Sequence, residues 1–417
     1  MEDTNMQSTA LRIYGKKDLR IDTFDLPEMK DDEILATVVS DTMCMSSWKL
    51  AMEGEDHKKT PDDLAHNPAV LGHEFSGKIL KVGKKWQSKF HAGQNYVIQP
   101  NLARQDTPFV PGYSYPYIGG DATKIIIPDE VMTMGCLIPF EGDAYYEGSL
   151  CEPVSCVIAA FRAQYHVNFH SYQPTTGIKE GGNMLIMGGT GPMGLLAIDY
   201  ALHGPKKPST LVVTDVNQDK LDRAKKLYPS DWVDIKFVNV NGLSIDEQKE
   251  ALLDAVDGTG YDDAFLMISV APLATLADSL LNPDGCLNQF AGPMKKDFSA
   301  SVNFYNIHYN FTHFVGTSGG DANNEAEAAQ LIAEKKLDVS KVITHVMGLN
   351  DAGETTMNQP EIGGGKKLVY SGKKFDRIEL AKVDPATDLG KILAKHDGLW
   401  SKEAEDWILA NEPDYDA

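Results

Sequence analysis

The chain has 417 residues, with 60 acidic against 39 basic side chains and a net charge of −21. That length exceeds what one hydrophobic core supports and predicts two or three globular domains. The acidic balance excludes nucleic acid and an anionic membrane as partners, because each requires a basic face, and it leaves any anionic ligand to a local cluster of donors. The start of the chain, Met1-Glu2-Asp3-Thr4-Asn5, is acidic and polar, unlike a secretory leader. No apolar run reaches membrane-spanning length, so a cytoplasmic location is expected. Cys44, Cys136, Cys151, Cys156 and Cys286 are an odd set without a C-x-x-C pair. They are expected to stay reduced.

Residues 11–14, 34–39, 75–82, 96–99 and 123–127 carry β-branched or aromatic side chains with Pro or Gly nearby. They predict strands of a small antiparallel barrel, and no long helical period appears among them. From residue 183 to 320 the pattern changes to strands alternating with helices. Apolar runs at 184–187, 211–214, 235–240, 264–268, 287–290 and 314–315 are separated by helical stretches at 219–228, 245–256 and 273–281. This predicts a doubly wound parallel sheet of six strands. A helix at 325–336 and a strand at 366–370 follow. In the tail, Leu389, Ile392 and Leu393, then Trp407 and Ile408, predict two short amphipathic helices that pack against the body or a subunit partner.

The most informative stretch runs from Asn183 to Lys220. An apolar strand is followed by Gly189, Gly191 and Gly194 in a G-x-G-x-x-G pattern, with Pro192 and Met193 opening a helix, and a second strand ends in Asp215. In such a pattern the first glycine allows the tight turn, the second lets the backbone approach a pyrophosphate and the third lets the helix pack on its strand. Helix amides then face the anion. Asp215 would accept hydrogen bonds from the adenosine ribose and repel a 2'-phosphate, which favours NAD(H) over NADP(H).

Three separated segments carry metal-capable side chains. Cys44 follows the strand at 34–39, Gly72-His73-Glu74 precedes the strand at 75–82, and Cys151-Glu152-Pro153 comes later. Cys44, His73 and Glu152 form a zinc set with an open position for water or substrate. On spacing alone, buried core residues explain the same three side chains.

Cys44-Met45-Ser46, Gly72-His73-Glu74-Phe75-Ser76-Gly77, Glu152-Pro153 and the glycine pattern with Asp215 and Lys220 together resemble the zinc-dependent medium-chain alcohol and polyol dehydrogenases, over residues 9–372. The resemblance implies an α/β chain with a GroES-like antiparallel β-barrel catalytic domain at residues 1–160. It implies a Rossmann NAD-binding domain at 161–325, then at 326–417 a return to the catalytic domain with a carboxy-terminal extension. The active site is expected in the cleft between the domains. Stretches 9–16, 31–39, 46–49, 188–204 and 363–370 are similar to members that interconvert ketose phosphates and polyol phosphates.

The chain departs from the family twice. Residues 100–130 contain no cysteine where many members carry four for a structural zinc, so one catalytic Zn2+ is expected and no structural zinc. After Cys44, relatives commonly have Gly-Ser-Asp; here Ser46 keeps the hydroxyl, and Ser47 stands where the acid is usual. The resemblance implies Cys44, His73 and Glu152 as ligands. Glu74 either ligates directly or adjusts the charge at the metal from behind. Ser46 would relay the proton as NADH delivers hydride to a zinc-polarised carbonyl. Lys220 would contact the ribose, and Lys49, the run His57-Lys58-Lys59, or Arg104 would anchor a substrate phosphate. The expected partners are a phosphorylated sugar or polyol and further copies of the chain in a dimer or tetramer. Two other readings stand beside this one: a dehydrogenase of an unphosphorylated polyol, and a non-catalytic NAD(H)-binding sensor.

Overall fold

The computed structural model describes residues 6–169 and 171–415. Two compact units result, Met1–Ser155 with Asp321–Ala417, and Cys156–Gly320. Among the described residues, no helix is long and apolar enough to cross a membrane.

In the continuous unit, six strands form one sheet in the order Asp234–Asn239, Thr210–Asp215, Asn183–Met187, Tyr261–Leu266, Leu281–Gln289, His313–Gly316. Every neighbouring pair is parallel. Leu185 sits in register with Val212 on one side and Ala264 on the other. The order is that of a doubly wound sheet, as expected. Central strands covered on both faces must be apolar throughout, and all six residues of Tyr261–Leu266 are buried. Helices Pro192–His203, Gln218–Leu227, Ile245–Asp254 and Ala271–Asp278 connect the strands. Ser244 and Glu247 start the third of these with a reciprocal capping box. The expected helix at 273–281 ends early, and Leu281 opens the next strand instead.

The discontinuous unit is built on an eight-stranded sheet. Its path runs Ile378–Glu379, Ile343–Gly348, Lys366–Tyr370, Ile34–Thr42, Phe75–Val82, Asn95–Ile98, Leu137–Pro139, with Lys124–Ile127 also paired to Ile34–Thr42. The pairings among the strands before residue 140 are antiparallel, as the alternating pattern predicts; Ile343–Gly348 and Lys366–Tyr370 pair in parallel. Ile34, Ala36, Phe75, Ile79, Tyr96 and Ile125 fill the core between them.

One element differs from expectation and matters for the site. Residues Met45–Glu53 form a helix where no helical period was read. Its start carries none of the usual signals: Cys44 makes no side-chain cap, the first turn has no acid and the last turn no base. The tail forms two helices, Asp388–Lys395 and Lys402–Asn411. The second is held to its own unit by Glu405, whose carboxylate accepts from the amides of Tyr145 (2.7 Å) and Tyr146 (2.8 Å).

Candidate active site

The antiparallel pairing of Ile34–Thr42 with Phe75–Val82 sets Asp41 opposite Phe75, so the end of one strand adjoins the start of the other. Cys44 lies just past the first strand and His73-Glu74 just before the second. Among the described residues, the Cys44 thiol, a His73 ring nitrogen and a Glu74 carboxylate oxygen come together with all ligand atoms within 4.8 Å of one another. Glu152 is not in that group. It stands in the first turn of helix Cys151–Ala163, is buried, and its charge reaches both Cys44 and the buried Glu325.

On its other side Ile34–Thr42 pairs with Lys366–Tyr370, Thr42 opposite Leu368. This brings in Lys366, which the motif pattern did not single out. Its ammonium donates to both oxygens of Glu74, 2.6 Å to Oε1, with both side chains all but inaccessible. Thr42 Oγ1 also donates to Glu74. Burial pulls the Lys366 pKa down, but Glu74 and Cys44 push harder and leave it above its ordinary value. Behind it, Asp41 Oδ1 accepts from the Glu74 amide at 3.1 Å. Burial, then the Asp121 and Glu74 charges, push Asp41 up, and burial lifts Asp121 to about 7.

Helix Met45–Glu53 turns Ser46 toward His73, with Ser46 Oγ 3.2 Å from His73 Nε2. Ser46 and Lys49 therefore both sit on this helix. Ser47 Oγ lies 3.5 Å from His73 Nδ1. The second residue that sequence reading missed is Tyr113. Its hydroxyl donates to Ser46 Oγ at 2.9 Å and lies 3.2 Å from His73 Nε2, with the two rings 4.7 Å apart. Two glycines permit this approach: Gly72 and Gly112 both hold positive φ, and a Cβ on Gly112 would stand 2.1 Å from the Gly72 carbonyl oxygen. Burial, reinforced by Lys59 and Lys366, holds His73 well below its ordinary pKa, so the ring is neutral and available as a ligand. Burial, then Glu74, pushes the Cys44 thiol up to about 11.

In the continuous unit the glycine turn joins Asn183–Met187 to Pro192–His203. The left-handed residue is Gly188 (φ 70°) rather than Gly189, whose added Cβ would instead strike Val213 on the neighbouring strand at 2.6 Å. Gly194 packs against the turn, with its Cβ position 2.4 Å from the Gly189 carbonyl oxygen, while Gly191 faces open space. Pro192 and Met193 begin the helix. Asp215 ends its strand with the carboxylate facing the turn, accepting from Thr190 Oγ1 and from the amides of Val216 (2.8 Å) and Asn217 (3.1 Å). Lys220 is exposed in the first turn of Gln218–Leu227, its amide capped by Asn217 Oδ1 at 3.0 Å.

Residues 30–135 match the alcohol dehydrogenase GroES-like domain. The chain is 56% identical over 409 residues to the L-sorbose 1-phosphate reductase of Klebsiella pneumoniae, covering 98% of both chains. It is 41% identical to the mannitol-1-phosphate 5-dehydrogenase of Aliivibrio fischeri, over 97% of both. Among solved structures, a zinc-binding dehydrogenase from Sinorhizobium meliloti with NADP bound superposes with a TM-score of 0.72 at 19% identity, over 88% of this chain and 99% of that one.

Proposed function

The chain belongs to the zinc-dependent medium-chain alcohol and polyol dehydrogenases, an oxidoreductase family, and from that premise we propose that it interconverts L-sorbose 1-phosphate and D-glucitol 6-phosphate with NAD(H) and one zinc ion. The substrate rests on the whole-chain likeness to the Klebsiella reductase. The observation that carries the chemistry is the clustering of Cys44, His73 and Glu74, the last two buried, with two hydroxyls at His73 Nε2.

Sulfur, neutral imidazole and carboxylate donors in one place fit zinc. Cys44, His73 and Glu74 would hold it in this reading, with Glu152 the further carboxylate of the site. The glycine turn fits a dinucleotide, since Gly191 leaves space at a helix amino terminus. When bound, zinc supplies a Lewis acid for the carbonyl and NADH supplies the hydride.

The remaining work falls to the chain itself. Ser46 Oγ holds the proton that the product alcohol gains, and the Tyr113 hydroxyl, donating to Ser46, fixes that oxygen's orientation. Lys366 holds the Glu74 carboxylate in place through its ammonium. Asp215, aimed at the turn, accepts the ribose hydroxyls and repels a 2'-phosphate.

Steady-state rates of the zinc-loaded protein on L-sorbose 1-phosphate, free L-sorbose and D-fructose 6-phosphate, each with NADH and NADPH, test this. L-sorbose 1-phosphate with NADH is expected to show the highest kcat/KM, by about 100-fold over the free sugar. No turnover of that ester overturns the assignment. Dominance of D-fructose 6-phosphate moves it toward the chemistry of the Aliivibrio relative.

A further inference from the structure

A phosphate ester in so acidic a chain needs local donors. Arg104 is not among them: its guanidinium is engaged by Asp106 (3.0 and 2.5 Å) and by Glu130 (3.4 Å). The basic turn His57-Lys58-Lys59 lies against Tyr113. The Lys59 ammonium stands 4.6 Å from the centroid of the Tyr113 ring, and the His57 ring stacks on that ring at 5.8 Å with planes 16° apart. The same tyrosine touches His73 and Ser46.

The turn is built rather than merely nearby. Thr60 Oγ1 donates to the Gly54 and His57 carbonyls, both at 2.8 Å, and Ser114 Oγ donates to the Lys59 carbonyl at 2.5 Å. Ser114 adjoins Tyr113, so one segment fixes both the platform and the lysine's backbone. The Lys59 amide donates to His57 Nδ1 at 3.2 Å, which leaves the ring proton on Nε2 as a donor. Burial, opposed by Glu53 and reinforced by Lys59, Lys58 and Lys49, lowers the His57 pKa and keeps the ring neutral.

We propose that Lys59 and His57, seated on the Tyr113 ring, bind the phosphate of the phosphorylated ketose or polyol whose reacting carbon lies at Cys44 and His73. The proposal rests on the function given above and adds the residues that select an ester over a free sugar. An ammonium and an imidazole N–H suit a dianionic phosphate, and the aromatic face holds the lysine in one place. Tyr113 orients Ser46 with its hydroxyl and Lys59 with its ring. It thereby fixes the distance between proton donor and phosphate anchor.

The test compares kcat/KM for L-sorbose 1-phosphate and free L-sorbose in Lys59→Met, Lys59→Arg, His57→Phe and Lys58→Met, on zinc-loaded protein. In Lys59→Met the ratio of ester to free sugar is expected to fall about 10- to 100-fold, through KM, as expected for loss of a charged hydrogen bond. Lys59→Arg recovers most of it, His57→Phe keeps the stack and lowers the ratio several-fold, and Lys58→Met leaves it within threefold. Inorganic phosphate, competing with L-sorbose 1-phosphate, weakens as an inhibitor in Lys59→Met by a similar factor, while KM for NADH stays constant. Equal losses on ester and free sugar, an equal effect of Lys58→Met, or a raised KM for NADH overturns the anchor and leaves the function standing. A wild type that reduces no ester overturns the function; loss of inorganic phosphate binding in Lys59→Met would still support the anion site.

Discussion

The continuous unit ties Thr190 to Asp215 across 25 residues, whereas the discontinuous unit ties Glu74 to Lys366 across 292. The first contact lies inside one strand-turn-helix-strand segment and needs only local geometry. The second exists only once a distant strand has been laid beside the first. The glycine turn and its acid are thus written in a short contiguous stretch. The group around Glu74 instead draws on strands far apart in the sequence.

The sharpest way to separate the two is Cys44→Ser. It should cost about 1,000-fold or more in kcat/KM and deplete bound zinc, while NADH binding, followed by fluorescence, stays within about twofold. Turnover within tenfold of wild type would break the assignment of Cys44. Lys366→Met tests the long-range contact. It leaves a buried carboxylate unpaired and should destabilise the metal-free discontinuous unit by about 3–5 kcal/mol. At roughly 2 °C or more per kcal/mol, the melting temperature should drop by about 6 °C or more, with partial recovery on adding zinc. A shift below about 2 °C would mean that Glu74 finds another partner. Smallest is Asp215→Ala, which should erode the preference for NADH over NADPH by about 10-fold through KM, with zinc content unchanged. An unaltered preference would place cofactor selection outside the turn.

What could be read in advance follows the same division. The six parallel strands, the glycine turn and Asp215 announce themselves through apolar runs and spacing. Even there the left-handed residue is Gly188, because the pattern fixes which residues are small but not which one carries the turn. His73 and Cys44 were legible as residue types flanking strands. Helix Met45–Glu53 is not legible, for it begins without a cap. Tyr113 lies in a Pro- and Gly-rich segment whose sequence contains no trace of its contact with His73, 40 residues away. Lys366 sits in a strand that was read correctly, yet nothing along the chain names its partner.

Strand Lys366–Tyr370 lies between Ile343–Gly348 and Ile34–Thr42, so one side of this sheet is supplied by the late part of the polypeptide. On the ribosome, residues 156–320 have emerged complete while Glu74 still lacks its counter-charge. The group of Cys44, His73 and Glu74 therefore gains its full set of contacts late in synthesis. A nascent chain halted before residue 366 would carry a nucleotide fold without the means to use it.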